Sequence, residues 1–158
     1  MFPVAILAGG LGTRLYPVTE SIPKSLIEIS GKPFLFHQIE LLRKQGIKKI
    51  VLCVGHLGEQ IEAVAGDGSN LGVELSYSYD GDLLLGTGGA IKRALPFLGK
   101  NFFILYGDSY LPCSFSKIQT AYEAAGCSAL MTVFRNEDQW DKSNVLFRDG
   151  KIVALNKS

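Results

Sequence analysis

Histidine, tryptophan and cysteine are scarce in this chain, and neither sign of charge is in surplus. Its 158 residues include 2 histidines, 1 tryptophan and 3 cysteines, and 16 Lys and Arg face 15 Asp and Glu for a net charge of +1. The histidines, His37 and His56, stand in no Ser-His-Asp or Cys-His arrangement, so nucleophile-and-base chemistry has no candidate. Cys53, Cys113 and Cys127 are odd in number and widely scattered, which gives neither a disulfide framework nor a metal spacing and suits a reducing cytosol. The charge balance excludes a broad electrostatic footprint for nucleic acid or a membrane surface, so any anion must be held by a few local cations. The N-terminal run FPVAILA is too short for a signal peptide or a membrane span and lacks a charged leader, and a cytoplasmic location is expected.

What is present is an ordinary globular composition, 47% hydrophobic and 20% charged. A single domain of this length buries roughly 68–70% of its unfolded surface. Val4 to Leu7 is a short apolar run ending in glycines, the pattern of a buried parallel strand. A long polar stretch, Gly9 to Lys32, follows with little periodicity. FLFHQIELLRKQG places Leu35, Ile39 and Leu42 at near-helical spacing, with Gly46 as the stop. KKIVLCVG reads as a buried strand with Cys53 as a small core hydrophobe, HLGEQIEAVAGDG as a short helix and VELSYSY as a strand. DGDLLLGTGG reads as a loop, AIKRALPFLG as a helix interrupted by Pro96, and NFFILYGDS as an apolar strand turning polar. SFSKIQTAYEAAG is a helix capped by Ser114 or Ser116, and SALMTVF is a strand. NVLFRDGKIVAL is a hairpin, because Asp149-Gly150 suits a type I′ turn. Repeated strand–helix alternation predicts an α/β fold, a Rossmann-like, mostly parallel sheet with helices on both faces. Ligands of such sheets bind beyond the carboxyl ends of the strands.

Three strand ends carry unusual chemistry: AGGLGTR, LGTGG and YGDS. The first is not a dinucleotide fingerprint, since position 15, where the third glycine belongs, is Leu15. It is not a Walker A loop either, because no Gly-Lys-Ser or Gly-Lys-Thr occurs. A phosphate cradle of another design remains, in which backbone N–H groups converge on oxygens while Thr13 adds a hydroxyl and Arg14 a fork. Pro17 and Pro23 stiffen the loop so that Lys24 reaches the same anion. The competing role is a tight turn with two solvated cations. An aspartate directly after an apolar strand, as Asp108 is, costs much to bury unless it meets a cation. Its competing role is as a helix N-cap.

The ordered set Leu7 to Leu15, Pro17, Thr19, Pro23-Lys24 and Leu26, continued by GKPFL, LLGTGGA and YGDS, resembles the signature of the sugar-phosphate nucleotidylyltransferases. LGTGGAIK is most similar to the branch that uses mannose or heptose 1-phosphate with a guanine or related nucleotide. The resemblance implies transfer of a nucleotidyl group from an NTP, here GTP, to a sugar 1-phosphate. It implies that Leu7, Ala8, Gly9 and Gly10 line the nucleoside, and that Gly12, Thr13 and Arg14 hold the departing phosphates. Lys24 would contact the reacting phosphates, while Gly86, Thr87, Gly88 and Gly89 would face base and ribose. Asp108 would bind Mg²⁺, which takes one or two carboxylates together with phosphate oxygens.

The chain stops at Ser158, soon after the hairpin, so residues 1–158 are expected to form one C-terminally truncated domain with the nucleotide half of the site and little of the acceptor half. No second metal-binding aspartate is evident after Asp108, since Asp138, Asp141 and Asp149 stand in turn-like surroundings. A nucleotide-binding module with a regulatory or assembly role is the alternative. A shortened sheet leaves apolar edge surface, and a homo-oligomer is expected. Lys32 reads as a solvated loop charge, and Trp140 as packing over the domain edge.

Overall fold

The apolar run after Pro3 becomes β1 (Val4–Leu7), an inner strand of a four-stranded parallel sheet. The computed structural model describes residues 1–137, 139 and 142–156, which divide into two compact units, Met1–Gln119 and Thr120–Ser158. After β1, the first unit contains the two-residue strands β2 (Glu28–Ile29) and β3 (Lys32–Pro33), then α1 (Phe34–Lys44), β4 (Lys49–Val54), α2 (Gly58–Ala65), β5 (Glu74–Tyr79), α3 (Gly86–Leu98) and β6 (Phe103–Tyr106). Helix α4 (Phe115–Ala125) begins in the first unit and ends in the second, which also holds β7 (Val145–Arg148) and β8 (Lys151–Leu155).

The sheet order is β5-β4-β1-β6, with Val4 opposite both Ile50 and Phe103, and Leu7 opposite both Cys53 and Tyr106. The chain therefore moves outward from β1 through β4 to β5, then returns to the far side of β1. That reversal creates a crevice where β1 and β6 end. Side-chain alternation sorts the core between the two faces. Val4, Ile6, Ile50 and Leu52 pack with Leu35, Ile39 and Leu42 of α1 and Ile61 of α2. Ala5, Val51 and Cys53 point the other way, onto Ala90, Ala94 and Leu98 of α3. Each Ile or Leu so buried contributes about 1.5–3 kcal/mol. Helices on both faces are thus borne out.

Several local expectations are corrected. The stretch from Gly9 to Lys32 contains three 3₁₀ turns, Thr13–Leu15, Val18–Glu20 and Lys24–Leu26, before β2 pairs antiparallel with β3. The buried Thr19 ties the first two turns together by donating its hydroxyl to the Gly12 carbonyl at 2.9 Å. Helix α3 starts at Gly86, earlier than expected, and runs through Pro96 without a break. The missing N–H falls in its last turn, while Ala90, Ala94 and Leu98 hold the helix onto the sheet. Residues 128–134 form no strand, and Leu130, Met131, Val133 and Phe134 are exposed. An apolar run becomes a strand only when a neighbour takes its backbone groups, and none of the described strands does so here.

Other details hold. Gly46, at φ +83°, ends α1, and the Ile47 N–H closes its last turn on the Leu42 carbonyl. The Lys117 N–H donates to Ser114 Oγ at the start of α4, which selects Ser114 over Ser116. Asp149 and Gly150 both have positive φ between β7 and β8, as a type I′ turn requires. Trp140, Asp138 and Asp141 lie outside the described residues. No described helix is long and apolar enough to cross a membrane.

Candidate functional site

A cavity of about 320 Å³ opens in the first unit where β1, β4, β5 and β6 end and α3 begins. Of the residues singled out in the sequence, Leu7, Ala8, Gly9, Gly10, Gly12, Lys24, Gly86, Thr87 and Asp108 line it. Thr13, Arg14 and Gly88 are not among the lining residues, and all three are exposed.

The walls follow from the strand ends. The Gly107 N–H donates to the Leu7 carbonyl at 2.9 Å, which carries the β1–β6 ladder one step beyond both strands. A Cβ at Gly107 would sit 2.6 Å from that carbonyl oxygen, so only glycine fits where the two exits pass. Gly10 is different: nothing stands within 4 Å of the position its Cβ would take, and its φ is not positive. Protein packing does not require a glycine there, whereas close approach of a ligand to the backbone would.

Asp108 follows Gly107 in a turn closed by the Ser109 N–H on the Tyr106 carbonyl at 3.1 Å. Its Oδ2 accepts from Lys24 Nζ at 2.8 Å, so residues 84 positions apart meet as a partly exposed ion pair. The Lys24 hydrogen bond holds the Asp108 carboxyl below the usual carboxylate range, with a smaller contribution from the charge of Arg14. Lys24 offers a cation suited to phosphate oxygens, and Asp108 an anion suited to a metal. Among the described residues no group of three or more His, Cys, Asp or Glu could form a metal cage. One carboxylate fits an ion that takes its remaining ligands from phosphate and water, as Mg²⁺ does.

Two buried polar lining residues escaped the sequence reading. Asp80 is buried just past β5; its Oδ2 accepts from the Leu85 N–H at 3.2 Å, and its carbonyl accepts from Arg93 Nη1 at 2.6 Å. Its signal resembled that of Asp108 in being an aspartate just past a strand, but the strand before it alternates and is not an apolar run. Ser25 is also buried, and its Oγ has no partner among the described residues. Cys53 behaves as the expected core hydrophobe: burial, reinforced by the Asp80 charge, pushes its thiol up to about 11. Lys32 is not a solvated loop charge. It pairs with Glu40 at 2.7 Å, as does Lys44, and together they draw the Glu40 carboxyl down to about 2. Neither histidine lines the cavity. His37 Nε2 meets the Ile29 carbonyl at 2.8 Å, and the buried Nε2 of His56 has no partner among the described residues.

Residues 4–143 match the family model described as nucleotidyl transferase. The chain belongs to the nucleotidyl transferase family. Among its relatives in that family, it is 42% identical over 125 residues to the D-glycero-alpha-D-manno-heptose 1-phosphate guanylyltransferase of Campylobacter jejuni, covering 79% of this chain and 55% of that one. It is 40% identical over 118 residues to the N-acetylmuramate alpha-1-phosphate uridylyltransferase of Neisseria meningitidis, covering 73% and 51%. The crystal structure of HddC from Yersinia pseudotuberculosis complexed with GMP-PN superposes with a TM-score of 0.70 at 36% identity, over 77% of this nucleotidyl transferase chain and 54% of that one. The chain thus spans about half the length of these curated relatives.

Proposed function

We propose that residues 1–158 are the nucleotide-binding part of a sugar 1-phosphate nucleotidyltransferase that uses GTP and Mg²⁺. The Lys24–Asp108 pair carries this reading, because it sets one group for phosphate and one for a cation at the mouth of the β1–β6 crevice. The triphosphate lies along the backbone from Gly9 to Gly12, with Lys24 and Arg14 offsetting its charge. Asp108 would hold the magnesium ion, whose positive charge would offset that of the phosphates. An oxygen of the sugar phosphate, ionised at neutral pH, attacks the α-phosphorus. A new P–O bond forms, the α–β bridging P–O bond breaks, and its electron pair leaves on pyrophosphate. No proton need move, so what this chain supplies is orientation and charge stabilisation.

Asp80 favours guanine. A carboxylate accepts well from adjacent ring and exocyclic N–H groups, both of which guanine presents, whereas uracil and thymine offer a single ring N–H. The guanylyl name of the Campylobacter relative points the same way. A cytoplasmic setting accords with three free thiols, and self-association accords with the half-exposed Ile104 and Tyr106 on edge strand β6.

Calorimetric titration tests the site. The chain is expected to bind GTP with Mg²⁺ more tightly than UTP or dTTP, and Lys24→Ala to weaken GTP at least about tenfold while unfolding free energy changes by under about 1 kcal/mol, the usual worth of an exposed pair. No GTP binding, or equal losses of binding and stability in Lys24→Ala, overturns the assignment. Pyrophosphate release with mannose or heptose 1-phosphate reads turnover. Light scattering reads assembly, and a monomer at high concentration refutes it.

A further inference from the structure

Gln38 lies on α1, between Leu35 and Ile39, which are buried, and its own side chain is fully buried. Helix α1 follows β3 in the crossover from β1 to β4 and contributes nothing to the cavity lining. A polar side chain in such a place is costly unless its hydrogen bonds compensate. The Gln38 Nε2 group donates to the Tyr106 carbonyl at 3.0 Å and to the Ser109 carbonyl at 2.7 Å. Both acceptors are backbone, so the amide orientation is settled by chemistry: the oxygen could not face two carbonyls. These two carbonyls flank Gly107 and Asp108. The Tyr106 carbonyl already accepts from the Ser109 N–H, so the turn is closed once by its own backbone and again by Gln38. Gln38 Oε1 has no partner among the described residues, so the side chain gains only from what its nitrogen does.

We propose that Gln38 is a positioning residue for Asp108. Its amide clamps the two ends of the turn and so fixes where the carboxylate stands relative to Lys24 and to the Gly9–Gly12 backbone. This rests on the reading of Asp108 as the carboxylate that meets the nucleotide-bound cation. Ligand-orienting partners of this kind are worth roughly 10–100-fold in metal affinity.

The test is Gln38→Met, which keeps length and volume but removes both donors, with Gln38→Leu as a second variant should Met fail to fold. Amide hydrogen exchange of Gly107, Asp108 and Ser109 is expected to quicken by about tenfold, the equivalent of one or two lost hydrogen bonds. The β1 amides change only as global stability does. The Mg²⁺ concentration that half-saturates GTP binding is expected to rise roughly tenfold or more, while Mg²⁺-free GTP binding stays as in the unaltered chain. Leu42→Ala, on the same helix, controls for lost stability and is expected to leave the Mg²⁺ midpoint unmoved. If Gln38→Met leaves both turn exchange and the Mg²⁺ midpoint unchanged, or shifts the midpoint no more than Leu42→Ala does, Gln38 merely fills the core. If the unaltered chain binds GTP without any Mg²⁺ dependence, the reading of Asp108 fails instead, and turn exchange alone then decides whether Gln38 clamps.

Discussion

IVLCV in β4 and SALMTVF at residues 128–134 are nearly indistinguishable as text, yet they have opposite fates. Ile50 to Val54 are all at most 1% exposed, whereas Phe134 is 77% exposed. The first run has β1 on one side and β5 on the other, with helices over both faces. The second pairs with none of the described strands. Hydrophobicity states what a segment requires, and only the rest of the chain determines whether the requirement is met.

Truncating side chains in both settings sharpens the contrast most. Leu52→Ala is expected to cost about 2–5 kcal/mol, the range for fully buried leucines. Val153→Ala on the exposed β8 should stay within about 0.5 kcal/mol. Denaturant midpoints measure both, and comparable losses would mean that β8 is covered in solution. Next in size is Gly107→Ala, which places a methyl 2.6 Å from the Leu7 carbonyl. It should cost about 1–3 kcal/mol by overpacking and weaken GTP binding, whereas Gly10→Ala should leave stability nearly intact while still weakening GTP. Ser25→Ala reverses the usual sign. Removing a buried hydroxyl without a partner should raise stability by about 1 kcal/mol, and a loss would reveal a hydrogen-bond partner for Ser25.

Acid gives the smallest effect. The Asp108 carboxyl lies below its ordinary value because of Lys24, so its contribution is complete above about pH 3.9 and fades as pH falls through the lower folded value. Partial exposure keeps this under about 1 kcal/mol. A scan of melting temperature against pH should flatten in Lys24→Ala, and an unchanged scan would show that the pair does not persist in solution.

Much of the site could be read in the sequence because its chemistry is local. Glycines at a strand exit, a lysine on a proline-braced loop and an aspartate past an apolar strand each stand out alone. Asp80 and Ser25 did not. Asp80 opens DGDLLL, which looks like an ordinary polar turn after an alternating rather than an apolar strand, and its role depends on α3 beginning at Gly86. Gln38 could not be found this way, since its partners lie 68 and 71 residues away and are main-chain oxygens with no signature in the alphabet. The same holds for the missing strand at 128–134, because a single run of letters carries no record of its neighbour.

The contact between Lys24 and Asp108 has a further consequence for the order of events. Each side chain already neutralises the other at 2.8 Å, so a bare divalent ion would have to displace an ammonium to reach the carboxylate, and a bare polyphosphate would have to draw the ammonium from its counter-ion. A metal–nucleotide complex brings both replacements at once, and the exchange conserves charge at each end. On the proposed reading the site would behave as an AND gate, ignoring either ingredient at low concentration and answering to the two together.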